Sequence, residues 1–233
     1  MKRVCTKPIL RKFWREWVKP VLVLLLVTSA LRSALADWND VPTGSMRPTI
    51  MEGDRIFVNK LAYDLKVPFT TWHVAKWAEP KRGDIVVFFS PADGQRLVKR
   101  VVGLPGEEVA LRNNVLYLNG EPAQYESLDP SVSEAISANQ RLAHEFASEG
   151  VAGKNHPVMI TPRKSALRSF EAVKVPAGQY FVMGDNRDNS FDSRYFGFVD
   201  RQRIVGRATA VALSMNPDNH HFPRWSRFFT TLP

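Results

Sequence analysis

The sequence predicts a mainly β fold, with a smaller inserted segment in the middle of the chain and an apolar helix at its amino terminus. Three observations predict this class. Short runs rich in β-branched and aromatic residues recur along the chain, turn-forming residues separate them, and strands do not alternate with helical patterns. The predicted strands are 55–58, 84–89, 97–102, 108–111, 115–118, 173–175, 179–183 and 204–213.

Positive charge is concentrated at the amino terminus. The 233 residues contain 32 Lys and Arg against 23 Asp and Glu, a net charge of +9. Seven of these bases and only one acid lie within residues 1–19, and no later stretch combines bases with interleaved aromatic residues. This distribution argues against a nucleic-acid partner. The single cysteine, Cys5, excludes an intrachain disulfide and cysteine-only metal or redox sites.

An apolar segment follows the basic block. We interpret residues 1–17 as a cytoplasmic basic segment and residues 18–36 as a transmembrane anchor, because a spanning helix needs about 20 apolar residues and basic flanks stay in the cytoplasm. A cleavable signal peptide fits as well, since Ala34-Leu35-Ala36 has the form of a cleavage site. A buried core helix is the third alternative. The first two alternatives both export the rest of the chain.

The β pattern is interrupted in the middle of the chain. We therefore predict a smaller inserted domain at 108–176 within a catalytic β domain formed by 37–107 and 177–233. A capping box at 131–134 predicts a helix that continues to about residue 148. Its inward-facing residues would be Ala135, Leu142, Ala143 and Phe146.

The aromatic and basic carboxyl-terminal residues, 220–233, permit two interpretations. They either pack on the core as the end of a strand or helix, or form an interfacial segment on a membrane surface.

Histidine and metal chemistry are not indicated by the sequence. None of the five histidines lies in a nucleophile or zinc motif. The acidic cluster 185–192 fails the spacing of a calcium loop, because the positions that need Gly and Glu hold Ser193 and Val199. Arg187 and Arg194 would also repel a cation. We therefore expect no metal.

Serine and lysine remain as the candidate chemistry. Ser45 lies in a turn beside Gly44, which would let a substrate backbone approach closely. In the strand 97–102, the period of two places Lys99 and Arg100 on opposite faces, so one of the two bases should point at an apolar interior. A buried lysine can lose its proton and act as a general base for a serine hydroxyl. From spacing alone, a solvated Lys99 is the simpler interpretation.

Four blocks, in this order, resemble the bacterial type I signal peptidases, a family of Ser–Lys dyad proteases. They are 42–49 (PTGSMRPT), 81–88 (KRGDIVVF), 98–106 (VKRVVGLPG) and 184–194 (GDNRDNSFDSR). The resemblance implies the family's Ser–Lys β scaffold, with Ser45 as nucleophile and Lys99 as general base. It also implies that Thr43, where the family usually has serine, binds the oxyanion with the Ser45 N–H, and that Ser190 orients the lysine.

Further roles follow from the same resemblance. Asp192 and Arg194 would brace their loop as structural support. Five residues would line the pockets for the small side chains of an Ala-x-Ala site: Val41, Ile50, Val87, Leu97 and Val98.

The resemblance implies a membrane-bound enzyme that removes signal peptides from exported preproteins. Its partners would be those preproteins and the lipid bilayer, with no nucleic acid and no cofactor; it specifies no oligomeric state. The enzyme would act at the outer face of the bacterial cytoplasmic membrane, held by a single span. A specialised peptidase of the same family, serving a conjugation system or pilin maturation, is the alternative.

Overall fold

The computed structural model describes residues 12–67, 70, 72–129, 132, 136, 141–151 and 153–233, with no side-chain detail for 30–34. A nine-stranded antiparallel sheet dominates it, in agreement with the predicted mainly β class. Seven strands follow the order β1-β2-β16-β5-β6-β14-β15, and β17 and β18 pair with β16. These strands are β1 (Ala36–Asp40), β2 (Asp54–Asn59), β5 (Ile85–Phe89), β6 (Arg96–Gly103), β14 (Gln179–Met183), β15 (Val199–Asp200), β16 (Ile204–Asn216), β17 (Phe222–Pro223) and β18 (Thr230–Thr231).

Strands β5 and β6 form the centre of this sheet, and β6 carries Lys99 and Arg100. Four of the five β5 residues are buried, and β6 is buried from Lys99 to its end. Both faces of a central strand are covered, so the apolar run in β5 is nearly continuous rather than alternating. The pairing of Val86 with Lys99 and of Ile85 with Arg100 sets the register of the two bases.

Smaller sheets are built from the rest of the strands. A hairpin joins β3 (Asp64–Lys66) and β4 (His73–Lys76). Seven other strands form a four-stranded sheet, β13-β7-β8-β9, and a three-stranded sheet, β10-β11-β12. Their bounds are β7 (Glu108–Arg112), β8 (Val115–Leu118), β9 (Glu121–Pro122), β10 (Gln124–Ser127), β11 (Glu145–Val151), β12 (Lys154–Ile160) and β13 (Phe170–Lys174).

The four-stranded sheet shares a hydrophobic core with the main sheet. Val109, Leu111 and Leu116 pack in one cluster with Val102 of β6 and Phe181 of β14. Burial of this apolar surface is what holds the two sheets together. The predicted inserted segment therefore lies directly against β6, which carries Lys99, and against β14, which precedes the loop 184–194.

Helical structure is short. The amino-terminal helix is Lys19–Ala34, preceded by a π-helical turn, Trp14–Val18, and a one-turn helix covers Ser193–Phe196. The 3₁₀ turns are Gly44–Met46, Lys60–Ala62, Arg187–Asn189, Arg201–Arg203 and Trp225–Arg227.

The amino-terminal helix departs from the predicted anchor at 18–36. Within the part of the chain that the structure describes, no helix combines the length and the apolar character needed to cross a membrane. The predicted span is also too long at its carboxyl end, because Ala36 begins strand β1 and pairs with Asn59 of β2. The backbone there bonds to a neighbouring strand instead of continuing the helix.

The helix predicted to run from the capping box to residue 148 is wrong at its carboxyl end. Residues Glu145–Val151 form β11, which pairs with both β10 and β12. Leu142, predicted to face inward, is 89% exposed. Pairing on two sides outweighs the modest helix preference of this stretch. The capping residues Ser131 and Glu134, and Ala135, lie outside the described residues.

Candidate active site

The turn that carries Ser45 packs on the hydrophobic core of the main sheet. Ser45 lies in the 3₁₀ turn Gly44–Met46, and Met46 and Ile50 are buried in the main core beneath it. A Cβ added to Gly44 would lie 2.7 Å from a carboxylate oxygen of Glu52 and 2.9 Å from Nε of Arg47. A side chain at this position would have to displace the Glu52 and Arg47 side chains, which form an ion pair of 2.7 Å.

Lys99 reaches this turn from the centre of the main sheet. Its Nζ lies 2.6 Å from Ser45 Oγ and 3.1 Å from the carbonyl oxygen of Val98. The residue is only 3% exposed. Burial lowers the pKa of Lys99 from 10.5 to about 8, because water no longer stabilises the ammonium, while the carboxylates of Asp192 and Asp185 oppose this shift. The solvated alternative for Lys99 is thus wrong.

The loop 184–194 closes over the other side of the nucleophile turn. Asn186 donates its backbone N–H to the carbonyl of Ser45 (3.1 Å) and its side-chain amide to the carbonyl of Gly44 (3.0 Å). A Cβ added to Gly184 would lie 2.3 Å from Ser190 Oγ and 2.4 Å from the Ser45 carbonyl oxygen. This loop therefore fits against the turn with no room for a side chain between them.

Ion pairs fix the loop in place. Asp185 accepts two hydrogen bonds of 2.8 Å from Arg100, and its second oxygen also accepts one from the Thr49 hydroxyl. Burial alone would raise the pKa of Asp185, but the Arg100 guanidinium holds that pKa below its usual range. Asp192 accepts hydrogen bonds from Arg194 (2.8 and 2.9 Å) and from the backbone N–H of Gly184 (3.0 Å). The carboxylates of Asp185 and Asp192 are thus each paired with an arginine.

Comparison with known proteins identifies the family of the chain. The model of the family described as "Signal peptidase, peptidase S26" matches residues 14–213. The chain belongs to this signal peptidase family. It is a serine endopeptidase of the type I signal peptidase class.

Curated signal peptidases resemble the chain over most of its length. The signal peptidase I of Pseudomonas fluorescens is 36% identical over 240 residues, which cover 97% of this chain and 81% of the relative. That of Bacillus licheniformis is 32% identical over 202 residues, covering 86% and 89%. A crystal structure of a signal peptidase I from Enterococcus faecalis V583 is 37% identical and covers 57% of this chain and 98% of its own, with a TM-score of 0.36.

The two residues expected to assist the signal peptidase dyad lie beside it. Thr43 precedes the nucleophile turn in an extended conformation, is exposed, and does not use its side chain to cap that turn. Ser190 is buried against Gly184 and the Ser45 carbonyl. Its Oγ has no hydrogen-bond partner among the described residues, so the orienting bond to Lys99 stays a prediction.

The five residues predicted to form the substrate pockets separate into two groups. Val41, Ile50 and Val87 are buried in one cluster, and Val98 packs against it. Leu97 packs instead against the cluster that contains Val86 and Phe88 of β5. Four of the five are therefore brought together beside the nucleophile turn, and the pocket role of all five stays a prediction.

Sequence reasoning missed several residues that shape this signal peptidase site. It left Arg100 without a partner, and in the loop 184–194 it assigned roles only to Ser190, Asp192 and Arg194. It gave no role to Thr49, Asn186 or Glu149, although Glu149 binds Arg187 through two hydrogen bonds of 2.6 and 2.7 Å. The available signal was charge matching: residues 185–194 hold three acids and two arginines, and buried charges in proteins are paired.

Proposed function

We propose that this protein cleaves signal peptides from exported preproteins after small residues of the Ala-x-Ala type, with Ser45 as nucleophile and Lys99 as general base. The contact of 2.6 Å between Lys99 Nζ and Ser45 Oγ, made by a lysine that is almost fully buried, is the observation that carries this proposal. No other acid–base residue contacts Ser45 Oγ among the described residues. Membership in the signal peptidase family supplies the substrate class.

The proposed mechanism uses the neutral lysine. Lys99 accepts the proton of Ser45 Oγ as that oxygen attacks the carbonyl carbon of the scissile bond. The oxyanion is stabilised by the Ser45 N–H and the Thr43 hydroxyl. The Lys99 ammonium then gives its proton to the leaving amine, which departs and leaves an ester on Ser45. Water, activated by the same lysine, hydrolyses that ester and restores the dyad.

The direct test uses the full-length protein in detergent. It is incubated with a precursor that bears an Ala-x-Ala site, beside a Ser45→Ala variant. We expect the parent to release the mature precursor with a new amino terminus directly after the second alanine, and the variant to release none. Cleavage at another site by the parent, or equal cleavage by the Ser45→Ala variant, would contradict the proposal.

The pH dependence of cleavage should report the buried lysine. Only neutral Lys99 can accept the serine proton, and burial lowers its pKa to about 8. We therefore expect kcat/KM to rise with pH and to level off above about 8. A series of initial rates between pH 5 and 11 measures this limb. A rise centred near 10.5 would show a solvated lysine and would contradict the assignment of the base.

We also propose the outer face of the bacterial cytoplasmic membrane as the site of action. Three features support association with the lipid bilayer: family membership, the basic block in residues 1–19, and exposed apolar side chains along the helix Lys19–Ala34, such as Leu24 and Leu26. The relatives are named signal peptidase I, so they do not favour the specialised conjugation or pilin-maturation alternative.

A further inference from the structure

The carboxyl-terminal residues 224–233, which we call the C-terminal strap, lie beyond the family match, which ends at residue 213. The strap lies beside strand β16 of the main sheet. Its strand β18 pairs with Ala210 and Val211 of β16, and Leu232 packs on the core cluster that also contains Met46 and Ile50. The end of this segment thus packs on the core. Trp225 and Phe229 are 72% and 78% exposed, so an interfacial role for the aromatic residues of 220–233 stays a prediction.

Two arginines of the strap bind the segment that connects the nucleophile turn to β2. Arg227 donates to the backbone carbonyl of Thr49 (3.0 Å) and to the carboxylate of Asp54 (2.6 Å). Arg224 donates to the backbone carbonyl of Glu52 (3.0 Å). Asp54 is buried and also accepts the backbone N–H of Met51 (2.8 Å), so it neutralises the guanidinium while it holds the turn.

Thr49 connects the strap to the catalytic loop. Its carbonyl accepts from Arg227, while its hydroxyl donates to Asp185, which is held in turn by Arg100. Thr49 also lies four residues after Ser45, in the segment where the N–H of Ile50 donates to the carbonyl of Met46 (2.9 Å). One residue is thus fixed from the strap on its backbone side and from the loop 184–194 on its hydroxyl side.

We infer that the C-terminal strap positions the nucleophile, with Arg227 as a positioning residue that acts through Thr49 and Asp54. Charged hydrogen bonds in a buried setting are short and directional, so they restrain the backbone more firmly than neutral ones. A misplacement of the serine by about 1 Å is enough to lower the rate of attack roughly 100-fold. This inference rests on the proposed function for its kinetic consequence, but the restraint itself is measurable without catalysis.

The kinetic test compares Arg227→Gln with the parent on the Ala-x-Ala precursor. We expect kcat to fall roughly 10- to 100-fold, with KM nearly unchanged, because none of the five residues predicted to line the substrate pockets belongs to the strap. Arg203→Gln is the matched control, because the Arg203 side chain is 42% exposed and makes only long contacts, with Asp200 (3.6 Å) and with the carbonyl of Ser90 (3.4 Å). An Arg227→Gln variant with the kcat of the parent, or one that changes KM alone, would overturn the inference.

Hydrogen exchange supplies the readout that does not depend on turnover. In a Ser45→Ala background, Arg227→Gln should speed exchange in peptides covering residues 44–54 about tenfold, with little change in β5 and β6. Faster exchange over the whole chain would indicate general destabilisation and would overturn the inference. If the parent does not cleave the precursor, the proposed function fails, whereas this exchange result still decides the role of the strap.

A double-variant cycle tests the route through Thr49. Thr49→Val removes the hydroxyl bond to Asp185 and keeps the carbonyl that Arg227 binds. If the two bonds act on one backbone segment, the kcat of the double variant with Arg227→Gln should lie within about twofold of the kcat of the more impaired single variant. Full multiplication of the two losses would show independent effects and would refute the route.

Discussion

Lys99→Arg should abolish cleavage although it keeps the positive charge. An arginine stays protonated at every accessible pH, so it cannot accept the proton of Ser45 Oγ, which lies 2.6 Å from Lys99 Nζ. Removal of the general base in serine proteases lowers kcat by roughly 10⁴-fold or more. The measurement is the single-turnover rate with the Ala-x-Ala precursor. Turnover comparable with that of the parent would disprove the role of Lys99 as base.

Lys99→Met distinguishes loss of the base from loss of the fold. The folded-state pKa of Lys99 is about 8 and the unfolded value is 10.5, so the parent bears the cost of a buried ammonium at pH 7. Between these pH values the unfolded chain binds more protons, and the parent gains stability as the pH rises. Methionine removes the cost. At pH 7 we expect the free energy of unfolding of Lys99→Met, measured in urea, to exceed that of the parent by about 3 kcal/mol. This difference should vanish above pH 10.5. The variant should be inactive.

Thr43→Val should lower kcat by roughly 10²–10³, about 2.7–4 kcal/mol, which is the usual loss for one oxyanion donor. Valine keeps the branched shape and removes only the hydroxyl. Thr43 is exposed and its side chain does not cap the nucleophile turn, so the free protein should keep its stability. KM should change little, because the hydroxyl acts in the transition state. Steady-state kinetics and a thermal melt together measure both effects.

Thr43→Ser is the matched control for this prediction. It keeps the donor and removes only the methyl group, so we expect a rate within a few-fold of the parent. If the valine variant is as active as the serine variant, Thr43 is a packing residue and the oxyanion needs a different second donor. If both variants are slow, the methyl group sets the rotamer of the donor.

Local sequence patterns were sufficient for most of the main sheet. The strands predicted at 84–89, 97–102, 179–183 and 204–213 match β5, β6, β14 and β16 closely. The reason is that β-branched residues in short runs bounded by turn residues favour the strand conformation. The pattern failed for β11, where pairing partners on both sides decide the conformation. It also predicted that the amino-terminal helix continues to residue 36, whereas the helix ends at Ala34 and Ala36 pairs with Asn59 of β2.

The sequence by itself determined the candidate pair, Ser45 and Lys99, and placed Lys99 beside Arg100 on one strand. Only the tertiary structure decided whether Lys99 is buried or solvated, and what each of the two bases contacts. Both side chains are buried, because a central strand is covered on both faces, so burial alone does not separate their roles. The distinction comes from partners distant in sequence: Arg100 is neutralised by Asp185, whereas Lys99 has Ser45 at 2.6 Å. A period of two sets the face of each residue, but only the folded chain brings a carboxylate to one face and a hydroxyl to the other.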